Sequence, residues 1–406
     1  MATSKIKFTV SDGNLFSAIA GADHVSSLVF DVTTTPDGGG AIDVDGEVHQ
    51  IFSLKQAQDE GIDETYEGGV VEKHISDFFA VNPNGELYVG LADMSTDFTH
   101  LSTVQTVAQG RIRQQGVYTK QELFITGTPY TVDHVAAINA IAQADADNNK
   151  PYSVILHASV ATVNSLDTDY AQIPTAIGAS KRVSLTIGQD NSAETKAIQD
   201  ALPNKASVGA VGALIGAASL ANVHESIGWV SKFDISSVIT TIALGFGGVV
   251  SDIDDNTPYE SLDDSQLDTL DEYGYIFPHK YTDFAGTFAS SDVTLSSGDY
   301  RTLSRNRAAD KSRRNVRVSL LPTLQQPLYV NATTGQVSAG TIGQFKSIVH
   351  TQLAFMQANG EISGFSITID PAQDILSTDT FKVSYRLVPV GTNKQIEVEL
   401  GLATQI

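Results

Sequence analysis

The segment that most constrains this chain is its last. Ile396, Val398, Leu400 and Leu402 alternate with other residues, a period of two that marks a strand with one buried and one wet face. Chain ends fray unless a sheet or helix ties them down, so a well-patterned strand this late needs a partner. Residues 5–10, Lys-Ile-Lys-Phe-Thr-Val, repeat the pattern at the other end, with Ile6, Phe8 and Val10 on one face ahead of the turn-like Ser11-Asp12-Gly13-Asn14. Both ends are therefore expected to be strands that complete a sheet.

Three further elements fill the C-terminal third. A basic run, Arg301, Arg305, Arg307, Lys311, Arg313, Arg314 and Arg317, is broken only by Asp310. On a helical wheel its cations cover most of the circumference, with Arg307, Lys311 and Arg314 along one stripe and no clean apolar stripe opposite. Such a helix is expected to line an interface and not a core. Residues 341–359 read as an amphipathic helix with Ile342, Phe345, Val349, Leu353 and Met356 on one stripe and Gly360 as the residue that stops it. Phe365/Ile367/Ile369 and Phe381/Val383/Tyr385/Leu387 then alternate as strands.

The middle of the chain alternates strand and helix. Strands are expected at 25–34, 87–91, 122–126, 152–156 and 182–187, and helices at 70–81, 101–112, 132–144, 170–177 and 193–201. That alternation predicts an open, largely parallel sheet covered by helices, placed at about residues 24–275. Gly209, Gly212 and Gly216 fit no phosphate-binding spacing and are read as small residues that let two helices approach closely.

At 406 residues the chain is long enough for about two or three domains. It has no cysteine, which excludes disulfides and thiolate metal sites. No apolar run approaches the roughly 18 residues of a membrane span, and no hydrophobic signal region opens the sequence. The formal charge of −22 is unevenly spread: residues 1–300 carry −26 and residues 301–406 carry +4. So acidic a chain repels nucleic acid, and the basic run lacks interleaved aromatics for base stacking. A basic face toward an acidic protein partner fits better. The nine histidines fall in no zinc-binding spacing, and no nucleophile elbow is present. His224-Glu225-Ser226, before the sole tryptophan Trp229, is read as a structural cluster at a helix end. The acid-rich stretch 252–272 has Thr257 where a calcium loop needs glycine and Asp263 where it needs glutamate, so a linker and helix cap is expected there. No metal, cofactor or catalytic set is expected.

The order of elements resembles contractile tail sheath proteins. The resemblance runs through the basic segment 300–317 with Ser319-Leu-Leu-Pro322, through Leu353-x-x-Met-x-x-Asn-Gly360, and through Gly364-Phe-Ser-Ile-Thr-Ile-Asp370 to Leu387-Val-Pro389 and 395–402. Ile75-Ser-Asp-Phe-Phe79, Asn84-Gly-Glu-Leu-Tyr-Val89 and Val223-His-Glu-Ser-Ile-Gly-Trp229 extend it into the middle. It implies an outer α/β domain (24–275), inserted before an inner α+β domain (276–406) that an N-terminal arm (1–23) joins. It also implies a non-enzymatic subunit, assembled in a bacterial cytoplasm into stacked and usually sixfold rings around an inner tube protein, with baseplate and terminator proteins as further partners. Neither nucleic acid nor an inserted membrane segment is implied. By position, Ile6, Phe8, Val10, Ile396, Val398 and Leu400 would be strands exchanged between neighbours. Arg307, Lys311 and Arg314 would touch the tube, with helix 341–359 as the alternative contact. A tube or baseplate component and an α/β enzyme are the competing expectations.

Overall fold

Apolar segments too short for helices and buried on both faces can only be central strands of a covered sheet. The computed structural model describes residues 23–37, 42–95, 97–120, 130–157, 180–247, 256–331, 334–373 and 375–402. In it, β1 (Ser26–Asp31), β2 (His49–Ile51), β3 (Leu87–Ala92), β4 (Gln114–Tyr118), β5 (Ser153–His157) and β6 (Val183–Thr186) lie in one sheet. Next, β7 (Gln189–Asp190), β8 (Ile242–Gly247) and β9 (Asn256–Pro258) form a small antiparallel sheet, and β10 (Tyr275–Ile276) returns to the large one. The seven-stranded order is β10-β6-β5-β4-β1-β3-β2, parallel except for the edge strand β2.

Helices cover both faces. They are α1 (Leu54–Asp59), α2 (Val70–Val81), α3 (His100–Val107), α4 (Tyr130–Asp147), α5 (Ala193–Ala201), α6 (Val211–Leu220) and α7 (Asp264–Glu272). Gly116 of β4 pairs with Leu28, and Gly90 of β3 pairs with the next residue, Val29, so the two glycines point to opposite faces. A methyl on Gly116 would meet Val211 and Ile215 of α6, and one on Gly90 would meet Val104 and His100 of α3. Those two contacts place α6 and α3 on opposite sides of the sheet.

The small residues around 209–218 do let two helices touch. A Cβ on Gly212 would stand 2.2 Å from the backbone oxygen of His74, and one on Gly216 would stand 2.9 Å from Cβ of Val81. The Gly212 amide donates to Nδ1 of His74 at 3.2 Å. Gly212→Ala is expected to force α2 and α6 apart and to lower stability by about 1–3 kcal/mol, the usual effect of overpacking. The urea midpoint reads this directly, and an unchanged midpoint would show that the helix pair gives way freely.

Several expected elements sit where the pattern put them, α2 and α5 residue for residue. Strand β4 does not: residues 114–118 carry Gln114 and Gln115 and give no apolar alternation. Both glutamines are fully buried, one bonded to Oγ of Ser26 and the other to the Leu101 carbonyl. Hydrogen bonding replaces hydrophobicity there. The strand expected at 122–126 and the helix at 170–177 lie outside the described residues.

After β10 the chain forms the hairpin β11 (Pro278–Tyr281) and β12 (Phe284–Ala289); Ala289 of β12 and the flanking Phe277 and Leu295 still belong to the first core. Helix α8 (Leu303–Leu320) leads to α9 (Ala339–Ala358), β13 (Ile362–Thr368), the single turn α10 (Ile375–Thr378) and β14 (Ser384–Pro389). Val316, Val349, Leu353, Met356 and Ile362 make a second, smaller core. Thr302 and Ser338 cap α8 and α9 through their side chains. Gly360 takes φ of 73° just past α9, the left-handed stop expected of it.

Candidate assembly surface

Helix α8 is where the structure departs most from the sequence reading. Its stripe of Arg307, Lys311 and Arg314, expected to face a tube, is engaged within the subunit. Arg307 is 3% exposed and donates to the Ala221 carbonyl at 2.9 Å, with the Asp23 and Asn222 carbonyls at 3.4 and 3.5 Å. Burial lowers its pKa to about 10, which leaves it charged at neutral pH. Lys311 bridges Asp23 (2.7 Å) and Glu361 (2.5 Å), and Arg314 binds Asp23 as well. Burial pushes the Asp23 carboxyl up, but Arg314 and Lys311 outweigh it and hold the group below the usual carboxylate range. Asp310, the acid that breaks the run, takes a two-pronged bond from Arg182 at 2.9 and 3.1 Å. A helix with few apolar residues is thus buried by ion pairs and carbonyl bonds. It ties the first core to the second and to Asp23, where the N-terminal arm begins.

The rest of the run is free. Arg301, Arg305, Arg313 and Arg317 form no ion pair with a described residue, and Arg301 and Arg317 are exposed. Spacing along α8 separates the two sets of cations, a split that no composition argument reveals.

The second core ends in a sheet of only two described strands, β13 and β14, paired antiparallel with Phe365 opposite Leu387 and Ile367 opposite Tyr385. Those side chains pack on the core and are still partly open. Beyond β14 the chain runs on without a ladder partner, and Ile396, Val398, Leu400 and Leu402 are 74%, 83%, 86% and 99% exposed. Lys394 ties the base of this arm to Asp271. No described residue covers its apolar row, an arrangement that marks an interaction surface. Ile6, Phe8 and Val10 lie outside the described residues.

Other expected features resolve into structure. Glu225 accepts from the Asn222 amide and from Lys232, so it is engaged elsewhere than with His224. Asp263 makes a capping box with Gln266 at the start of α7, the cap expected there, while Asp252, Asp254 and Asp255 fall outside the described residues. Among the described residues no group of three or more His, Asp or Glu could hold a metal, and no helix is long and apolar enough to cross a membrane.

Two histidines in the first core carry a pH dependence. His74 and His157 are fully buried on either side of Tyr118, and burial lowers them to about 3 and about 4. Below their ordinary value near 6.5 the unfolded chain binds protons that the folded chain refuses, so stability falls as pH drops through that window. Burial raises Asp77, so the folded chain takes up a proton in the same range and offsets one of the two. The net proton costs about 1.4 kcal/mol per pH unit. Between pH 6.5 and 4.5 the urea midpoint is expected to fall by the equivalent of about 3 kcal/mol. Equal midpoints would show that these imidazoles titrate freely.

The fold is that of contractile sheath subunits. The chain aligns with one in the contracted helical sheath of the anti-feeding prophage (AFP), with TM-score 0.62, 13% identity and 99% of both chains covered. It aligns equally with chains of the sixfold-symmetrised AFP baseplate (TM-score 0.61, 15% identity, 100% of both chains) and of the contracted sheath complex of the extracellular contractile injection system PVC. The last match has TM-score 0.61, 12% identity and covers 100% of this chain and 99% of that one. The chain belongs to the DUF2586 family, whose N-terminal domain matches residues 3–292 and whose C-terminal domain matches residues 299–406. No curated protein matches it by sequence.

Proposed function

We propose that this chain is the sheath subunit of a contractile injection particle. It polymerises as stacked rings around an inner tube and drives that tube through a target envelope when the sheath contracts. The inner tube, baseplate and terminator proteins are its partners, with assembly in a bacterial cytoplasm and without nucleic acid or membrane insertion. One observation carries the reading: on a sheath fold, an alternating apolar arm is exposed beside a two-stranded sheet whose outer edges no described strand occupies. Terminal arms exchanged between neighbours (Ile6, Phe8 and Val10 at one end, Ile396, Val398 and Leu400 at the other) would complete that sheet by strand addition. They would stay paired while subunits move as rigid bodies. In this reading residues 24–275 face outward, and the later residues lie toward the axis with the N-terminal arm. Since Arg307, Lys311 and Arg314 are engaged internally, the tube contact passes to the free cations Arg305, Arg313 and Arg317 and to the exposed face of α9.

The purified chain is expected to form tubes of variable length visible by negative-stain electron microscopy. Dispersed monomers under all salt conditions would remove the sheath reading, and closed rings of one fixed height would favour a baseplate component.

A further inference from the structure

The arm and the sheet beside it differ in charge as well as in shape. On β14 the residues turned away from the second core are Ser384, Arg386 and Val388, all exposed, and Arg386 stands opposite Ser366 across the ladder. Arg386 forms no ion pair with any described residue. Lys382, earlier on the same side, is exposed too, but it lies before the first ladder residue, Ser384, where its backbone is bonded by the Gln373 side chain. Within the paired residues, the outer row of β14 therefore carries a single cation, Arg386. The arm has the reverse pattern: Glu397 and Glu399 alternate with Ile396, Val398 and Leu400, and all of them are exposed.

The geometry points to Arg386 as the residue that sets the register of an incoming arm. The arm of a second copy of this chain adds to the edge of β14 that no described strand occupies. There Ile396, Val398 and Leu400 extend the apolar row of Tyr385 and Leu387, and Glu397 or Glu399 lies opposite Arg386. The inference rests on the strand-exchange reading above and adds what that reading leaves open. A slip of one residue is forbidden because it turns the apolar row outward. Slips of two or four keep every face correct, and hydrophobicity does not distinguish them. A single charge on the wet face narrows them to the two registers that set Glu397 or Glu399 against Arg386, because opposite charges directly across a ladder attract and an uncharged neighbour does not. The same argument selects the edge. An arm on the far side of β13 would sit two strand spacings from Arg386, about 10 Å away and beyond pairing distance.

The absence of native cysteine makes a cross-linking test clean. Arg386→Cys combined with Glu397→Cys or with Glu399→Cys is expected, in oxidised polymers, to give covalent multimers on a non-reducing gel. Arg386→Cys with Val398→Cys, which points to the other face, is expected to give none. In parallel, Arg386→Glu is expected to raise the concentration needed for polymerisation about tenfold, and adding Glu397→Lys and Glu399→Lys is expected to restore it. An unchanged melting temperature of Arg386→Glu excludes misfolding as the cause. Cross-linking through Ser366→Cys in place of Arg386→Cys, or an Arg386→Glu chain that polymerises like the unaltered one, would overturn the assignment. Polymers from a chain lacking residues 396–406 would instead overturn strand exchange itself, so the two failures are distinguishable.

Discussion

Arg307→Glu is expected to destabilise the subunit by about 3–5 kcal/mol, the range seen when one partner of a buried charged network is removed. The guanidinium is 3% exposed and lies among the Ala221, Asn222 and Asp23 carbonyls. A carboxylate there would face three acceptors with no donor and would have no water to solvate it. Arg317, on the same helix, is exposed and pairs with no described residue. Its reversal to Glu is expected to change stability by no more than about 0.5 kcal/mol. Urea denaturation of the two variants side by side measures the contrast. Equal midpoints would mean that α8 does not dock as described, and would reopen the tube-facing role for Arg307, Lys311 and Arg314.

Removal of residues 396–406 is expected to leave the folded subunit intact and to abolish polymerisation. The arm adds nothing to either core, and its four apolar side chains are 74–99% exposed. Burying each of them against a neighbour is worth about 1.5–3 kcal/mol. Ordering the arm costs roughly 1–2 kcal/mol per residue, and each ladder hydrogen bond returns about 1 kcal/mol. One arm gains roughly what it loses, so pairing is weak for an isolated couple and firm in a lattice where every subunit gives and receives. Thermal melting of the truncated chain should match that of the full chain, while electron micrographs show no tubes. Tubes of ordinary appearance from the truncated chain would sink strand exchange. A lowered melting temperature would show that the arm supports its own subunit.

Legibility followed periodicity. Helix α2 and helix α9 with its stop at Gly360 could be read because amphipathic spacing and a left-handed glycine are local signals. The alternation of Ile396, Val398, Leu400 and Leu402 was equally plain. Its meaning was not, since a strand pattern does not say whether its partner belongs to the same chain. Strand β4 was hidden because the buried amide nitrogens of Gln114 and Gln115 donate to Ser26 and to the Leu101 carbonyl, and Ser26 lies far off in sequence. The candidate site divided along the same line: the arm was visible in advance, whereas Arg386 mattered only after β13–β14 pairing showed that it stands opposite an uncharged neighbour.

By itself the sequence determined the alternation of strands and helices, the small residues at 209–216 that let a helix be approached closely, and the presence of a cation-rich helix before an α+β end. These follow from backbone geometry and side-chain size, which act over a few residues. Only the tertiary structure decided which cations of α8 are internal and which are free. That sorting depends on Asp23, Ala221 and Glu361, brought to one place by elements far apart along the chain. A charge is solvated or buried according to what packs against it, and neighbours in space are not written in the spacing of a single helix.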